Sequence, residues 1–210
     1  IFGSWNERKI QANNFQIPLL FNNTNAGFYW ELVVSGTTIN IENRTQSVST
    51  IFLDNCSVNT YPIFNISLFD ERLRTPLNGT IELNYYILNK FDFSLMSNLS
   101  FSANNTQNTR VCSNINLTDE GIYYSSEIRY YAPNYVTEFY HIQRALLTEE
   151  KILNLYNLHE NESTVFKITY QDSTYTFVED AIIQLRRKYI SDDIYEVVEA
   201  PLTSSEGTAI

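Results

Sequence analysis

Apolar and polar residues alternate along much of this chain. A period of two puts one face of a strand against a core and the other in water. Phe64, Ile66 and Leu68 alternate with Asn65, Ser67 and Phe69, and Phe166, Ile168 and Tyr170 with Lys167, Thr169 and Gln171. Further strands are expected over residues 27–34, 37–41, 48–53, 80–88, 122–131, 136–147, 152–155, 181–189 and 194–198. These runs are rich in Tyr, Phe, Ile, Val and Thr, which suit a pleated surface, and clusters of Asn, Ser, Asp and Gly separate them. Residues 143–159 admit two readings. Glu149, Glu150 and Lys151 suit a helix, whereas the alternation around Tyr140 and Ile142 favours strand–turn–strand, the preferred assignment. The pattern predicts an all-β protein of tandem β-sandwich domains with little helix.

The chain also resembles itself. Phe64 to Asp70 aligns with Phe166 to Asp172 at an offset of 102 residues. Continued without a gap, the alignment sets Asn78 against Asp180, Gly79 against Ala181, Ile81 against Ile183 and Leu83 against Leu185. The repeated unit is a strand, a loop opened by Asp, and a small residue that starts a second strand. An Asp at a loop start accepts hydrogen bonds from backbone N–H groups two or three residues on. A small residue there permits close backbone approach.

Asp172, Val178, Asp180, Ala181, Ile183 and Leu185, followed by the Thr203-x-x-x-Gly207-x-Ala209 turn, carry a likeness to known modules. The region resembles the carboxypeptidase-regulatory-like, transthyretin-like and collagen-adhesin B-type sandwich modules. Asp70, Pro76, Asn78, Gly79, Ile81 and Leu83 resemble the same pattern. The resemblance implies tandem Ig-like or transthyretin-like β-sandwiches of the kind used as stalks, spacers and fibre subunits on cell surfaces. The whole chain is similar in style to archaeal or environmental surface glycoproteins built from such tandem modules. On this reading residues 1–21 are an extended N-terminal segment and a possible strand donor. Residues 22–150 form a first sandwich, and residues 151–210 a second, incomplete one. Further sequence carrying a secretion signal is expected outside these 210 residues, with a membrane anchor as a further candidate.

Composition adds a location. Asn accounts for 24 of the 210 residues, and charged residues for only 18%. Asn-X-Ser/Thr triplets begin at Asn22, Asn43, Asn55, Asn65, Asn78, Asn98, Asn104, Asn116 and Asn161. That is about twice the number this composition gives by chance, so all nine are candidate N-glycosylation acceptors. Cys56 and Cys112 are the only cysteines, and in a sequon-rich chain an even count points to a disulfide. The expected setting is extracellular or at the cell surface. No apolar run is long enough to span a bilayer as a helix. The formal charge of −10 argues against a nucleic-acid partner, because phosphate neutralisation needs a basic surface.

The candidate chemistry is sparse. His141 lies in an alternating run and His159 in a polar turn, neither near a Ser or Cys in a recognisable nucleophile setting. Asp192 and Asp193 read as a turn rather than a calcium loop. Arg186, Arg187 and Lys188 read as partners for neighbouring acids, Trp30 as core, and Trp5 as an intersubunit anchor. No catalytic residue, metal site or cofactor is assigned. The expected function is structural: a glycosylated building block of a surface layer, stalk or filament, whose partners are other copies of itself or tandem neighbours and covalent N-glycans. An adhesin or receptor ectodomain that binds glycans or another surface protein is the alternative, and a secreted hydrolase comes third.

Overall fold

The structure, a computed structural model, describes residues 4–6, 9–11, 24–34, 36–40, 42–48, 50–118, 121–189 and 194–210. Contacts divide the chain into two compact units, Ile1–Thr50 and Ile51–Ile210. The first unit is made of two-stranded antiparallel ladders. β1 (Ser4–Asn6) pairs with β2 (Lys9–Gln11), β3 (Thr24–Phe28) with β6 (Arg44–Val48), and β4 (Glu31–Val34) with β5 (Thr37–Asn40). Trp5 lies in β1. Most of the proposed donor segment, and Asn22 with it, lies outside the described residues.

The second unit is the sandwich. Its strands are β7 (Leu53–Asp54), β8 (Tyr61–Asp70), β9 (Gly79–Leu88), β10 (Leu95–Thr106), β11 (Asn108–Ser113), β12 (Ile122–Tyr131), β13 (Glu138–Leu147) and β14 (Lys151–Asn157). One four-stranded sheet runs β10-β9-β12-β13 and is antiparallel throughout. The other runs β14-β8-β11-β7, with β14 parallel to β8. The alternation accounts for the core. Ile81, Leu83, Tyr85 and Ile87 of β9 turn inward, as do Ile122, Tyr124, Ile128 and Tyr130 of β12. They meet Phe64, Ile66 and Leu68 of β8. Phe64, Tyr85 and Tyr124 form an aromatic centre with ring centroids 5.2 to 6.0 Å apart.

The stretch 138–157 is strand–turn–strand, as the alternation favoured. The boundary expected at residue 150 falls inside the sandwich. β14 pairs with β8 from Lys151 against Phe64 to Asn157 against Asp70, and its Leu153 and Leu155 join the core. Burying those two side chains requires β14 to lie within this sandwich. The division after Thr50 follows from the same packing.

Beyond β14 a small set of ladders builds on the sandwich. β15 (Ile168–Thr169) pairs with β18 (Thr208–Ala209), and β16 (Leu185–Tyr189) with β17 (Ile194–Glu199). Residues after β17 run along β13: Ala200 N–H donates to Phe139 O at 2.9 Å, and His141 N–H to Ala200 O at 3.1 Å. The buried Tyr130 hydroxyl donates toward Val198 O at 2.8 Å and Tyr156 O at 3.2 Å, tying β12 to β17 and β14. Arg187 pairs with Glu71 at 2.6 Å, as expected for the basic cluster. Asp192 and Asp193 lie outside the described residues.

The repeated unit has a common hairpin geometry with one correction. Asp70 N–H donates to Thr75 O and Leu77 N–H to Leu68 O. In the later copy Asp172 N–H donates to Thr176 O and Val178 N–H to Tyr170 O. Arg74 (φ 56°) and Tyr175 (φ 62°) are the equivalent left-handed residues. The second loop is one residue shorter, so the register shifts by one within the loop and the ungapped alignment beyond it is displaced. The copies also differ in burial. Phe64 is fully buried, whereas Phe166 is 64% exposed.

Gly207 shows why that turn needs glycine. Its φ is +65°, and a Cβ there would lie 2.4 Å from Tyr170 O. Thr203 opens the turn from a buried position, donating to Val178 O at 2.6 Å and accepting from Ala181 N–H at 2.9 Å.

Candidate binding groove

The outward residues of the β10-β9-β12-β13 sheet form rows across the strands. Antiparallel register sets Asn98, Tyr86 and Ser125 side by side, then Ser100, Asn84, Glu127 and His141, then Ser102, Glu82, Arg129 and Phe139. Neighbouring strands are roughly 4.8 Å apart, so each row is a ladder of polar groups at that spacing. Two hollows lie on this face. One, of ≈ 520 Å³, is lined by Glu82, Asn84, Ser100, Arg129 and Phe139 among others. The second, of ≈ 480 Å³, is lined by Tyr86, Ser125 and Arg144 among others. Glu127 and His141 line both, so the two hollows adjoin.

The rows are internally hydrogen-bonded. Arg129 Nη1 donates to both Glu82 oxygens at 3.0 and 3.3 Å. Glu127 Oε2 accepts from Asn84 Nδ2 at 3.0 Å and, more weakly, from the Tyr86 hydroxyl at 3.4 Å. Burial, and next the Glu127 charge and hydrogen bond, push the Tyr86 phenol up from its usual range. His141 Nδ1 lies 2.9 Å from Ala200 O. A carbonyl only accepts, so Nδ1 carries the hydrogen and a neutral ring keeps Nε2 as an acceptor. The ring stacks on Phe139, 13° from parallel with centroids 6.4 Å apart.

A β-bulge shapes one end. The β12–β13 register slips between Tyr124/Ala145 and Ser126/Ile142, setting Gln143 and Arg144 of β13 against Ser125 alone. Arg144 has φ 50°, its N–H donates to Ser125 Oγ at 3.0 Å, and its guanidinium lies 5.0 Å from the Phe93 ring centroid. Bulges commonly re-aim side chains beside binding sites. The groove offers close-set donors and acceptors with flanking aromatic faces, an arrangement that suits a polyhydroxylated ligand.

The sequence-derived sites distribute around this sandwich. Cys56 and Cys112 form the disulfide. It ties the loop after β7 to β11, and the same loop is held by Asp54, whose carboxylate accepts from the backbone N–H groups of Cys56, Val58 and Asn59. Burial acts to raise the Asp54 pKa, but these bonds and that from Ser57 hold it below the usual value.

Asn43, Asn55, Asn78, Asn98, Asn104, Asn116 and Asn161 are exposed, and Asn65 is half-buried on the outer side of β8. Asn116 Oδ1 accepts from Thr118 N–H and hydroxyl within its own sequon. His159 caps a short 3₁₀ turn, Glu160–Glu162, through Nδ1 and Asn161 N–H. The two histidines therefore occupy separate settings.

Sequence reasoning missed two carboxylates. Glu138 is 5% exposed, and burial pushes its pKa from 4.5 to about 8, against the Leu158 N–H bond. Burial, with the Glu71 charge next, pushes Glu199 to about 7. Neither lines the two hollows. Both stand at the junction of β13 with the segment after β17. No sequence signal marks Glu138, which lies near the start of the strand expected over residues 136–147. Among the described residues, no group of three or more His, Cys, Asp or Glu is placed to hold a metal ion.

No family model, no curated protein and no solved structure matches this chain.

Proposed function

We propose that this protein is an extracellular, N-glycosylated structural protein, a building block of a surface layer, stalk or filament. The exposure of the sequons carries the reading. Seven of the eight sequon asparagines among the described residues are exposed. A glycosyltransferase needs an accessible Asn side chain, and these seven meet that need. The disulfide supports the same setting, because such bonds persist in oxidising compartments. A carbohydrate coat also accounts for a surface with few charges.

Assembly by strand addition is part of the proposal. The β15–β18 ladder has two strands, and among the described residues neither pairs with a third. Val165, Phe166, Phe177 and Ile210, near this ladder in sequence, are 50 to 79% exposed. Unpaired edges beside exposed apolar side chains invite another strand. The turn from Thr203 to Ala209 and the paired Asp-led hairpins also agree with the tandem module expected from the resemblance. Ig-like or transthyretin-like ancestry is part of the same proposal.

The test is peptide mass spectrometry for occupied sequons, combined with electron microscopy of the native material. Glycans on several sequons and a repeating assembly are expected. A bare monomer refutes the reading. The groove favours a second reading, an ectodomain that binds glycans. It predicts saturable binding to a glycan array that Glu127→Gln abolishes.

A further inference from the structure

The groove and one sequon share a face. Asn98 stands directly opposite Tyr86 in the β9–β10 register, at the corner of the polar rows described above. Opposed residues on one face have Cβ atoms about 4.5–5.5 Å apart, so a group attached to Asn98 begins one residue's width from Tyr86. The first sugar of a glycan there meets the Tyr86 ring, and the next ones meet Asn84, Glu127 and His141. The chemistry of those groups suits sugar hydroxyls. Both bonds to Glu127 use Oε2, which leaves Oε1 to accept. His141 presents Nε2 as an acceptor once Nδ1 is committed to Ala200 O. The Tyr86 and Phe139 rings supply apolar faces for the C–H side of a pyranose.

The groups are also pre-set, because their cross-strand bonds fix them before any ligand arrives. Pre-set donors and acceptors reduce the ordering cost of binding. The other sequons described on this sandwich do not stand in these rows; Asn104 lies beyond them at the far end of β10, where its Oδ1 already accepts from Thr80 and Ser102.

We propose that the rows form a saccharide-binding surface occupied by the glycan carried on Asn98 of the same chain, so that this glycan is a packed layer of the protein. The inference rests on the glycoprotein reading above and names the ligand of this site. Docking would cover His141 and leave His159, on the 3₁₀ turn, unaffected. The two are the only histidines, so one reagent reports on both.

The test uses protein made in its own host. Peptide mass spectrometry first records which sequons carry sugar. The rate of carbethoxylation by diethyl pyrocarbonate is then followed at His141 and His159 in the wild type, Asn98→Gln, Asn55→Gln and Glu127→Gln. His141 is expected to react about tenfold faster in Asn98→Gln than in the wild type, which corresponds to about 1.4 kcal/mol of docking. Glu127→Gln should also speed His141 while Asn98 stays glycosylated. Asn55→Gln, beside the disulfide, should match the wild type, and His159 should react alike in all four.

An occupied Asn98 with equal His141 rates in the wild type and Asn98→Gln overturns the inference. So does an unoccupied Asn98 among other occupied sequons, and in that case the glycoprotein reading survives. If no sequon carries sugar, both fail.

Discussion

Two tyrosines in the same core are expected to respond to the same substitution with opposite signs. Tyr85 and Tyr130 are both fully buried and both point between the sheets. The single Tyr130 hydroxyl hydrogen is directed at Val198 O at 2.8 Å, with Tyr156 O a longer second acceptor at 3.2 Å. The Tyr85 hydroxyl is buried among Phe64, Tyr124 and their neighbours and has no hydrogen-bond partner among the described residues. Burial, and next the neighbouring Tyr124, push its phenol well above the usual range, the electrostatic sign of the same isolation.

Leaving a buried hydroxyl unsatisfied costs about 1–3 kcal/mol. Tyr85→Phe removes that cost and keeps the ring, its stacking and nearly all its contacts. Allowing for the small void left behind, the net gain is about 1 kcal/mol. In a protein of this size that raises the melting temperature by about 2–4 °C. Tyr130→Phe instead removes a buried hydrogen bond and should cost about 1–3 kcal/mol.

Urea titration followed by circular dichroism gives both numbers, and unchanged slopes would show that the unfolded states are comparable. A Tyr85→Phe loss as large as that of Tyr130→Phe would mean the Tyr85 hydroxyl is satisfied, and would refute the desolvation reasoning.

Further expectations concern the disulfide, the buried acids and a turn. Replacing both Cys56 and Cys112 by Ser opens a loop of sequence separation 56 and should cost about 4 kcal/mol in loop-closure entropy, read as a lower urea midpoint. Unchanged stability would show that the loop is already closed in the unfolded chain. Glu138 keeps its proton to about pH 8 in the folded state, against 4.5 in the unfolded one. The unfolded chain therefore binds fewer protons across that window, so this group's contribution is full below pH 4.5 and is lost as pH rises to about 8. Glu138→Gln should flatten that fall, and an equally steep profile in the variant would count against it. Gly207→Ala should cost more than the roughly 1–2 kcal/mol of its left-handed backbone alone, because its Cβ meets Tyr170 O. Gly121→Ala, with φ +63° and open space, should show only the backbone cost, and equal losses in urea titration would refute the steric argument.

The strands that stand in the middle of the sandwich were legible because they alternate cleanly over ten residues: β8, β9, β12 and β13 were all expected in place. β10 and β11 were not. Leu99, Phe101 and Ala103 do alternate in β10, but small polar Asn and Ser fill the other positions and read as loop. As an edge strand its outer side is open to water, so nothing selects for β-branched residues there. The parallel β14 was seen as a strand but placed in the wrong domain. Alternation fixes which face is apolar, and it carries no address for the strand that will cover it. The groove was invisible for the same reason. Glu82 and Asn84 of β9 lie far in sequence from Glu127 and His141, and they meet through register alone. The disulfide was legible because two cysteines allow one pairing.

The parallel pairing of β14 with β8 also sets an order of events. Parallel neighbours need a long crossover, and non-local pairings make folding slow. Here β9 to β13 all intervene between the two partners. Until residue 157 has been made, one edge of β8 stays unpaired and the buried side of Leu155 has nowhere to go. A chain emerging from its N-terminus would carry an open sheet edge from the completion of β8 until β14 is made, and the sandwich would close late, when that strand arrives. Cells that make this protein must shield that edge in the interval, or fold the chain faster than it finds another copy.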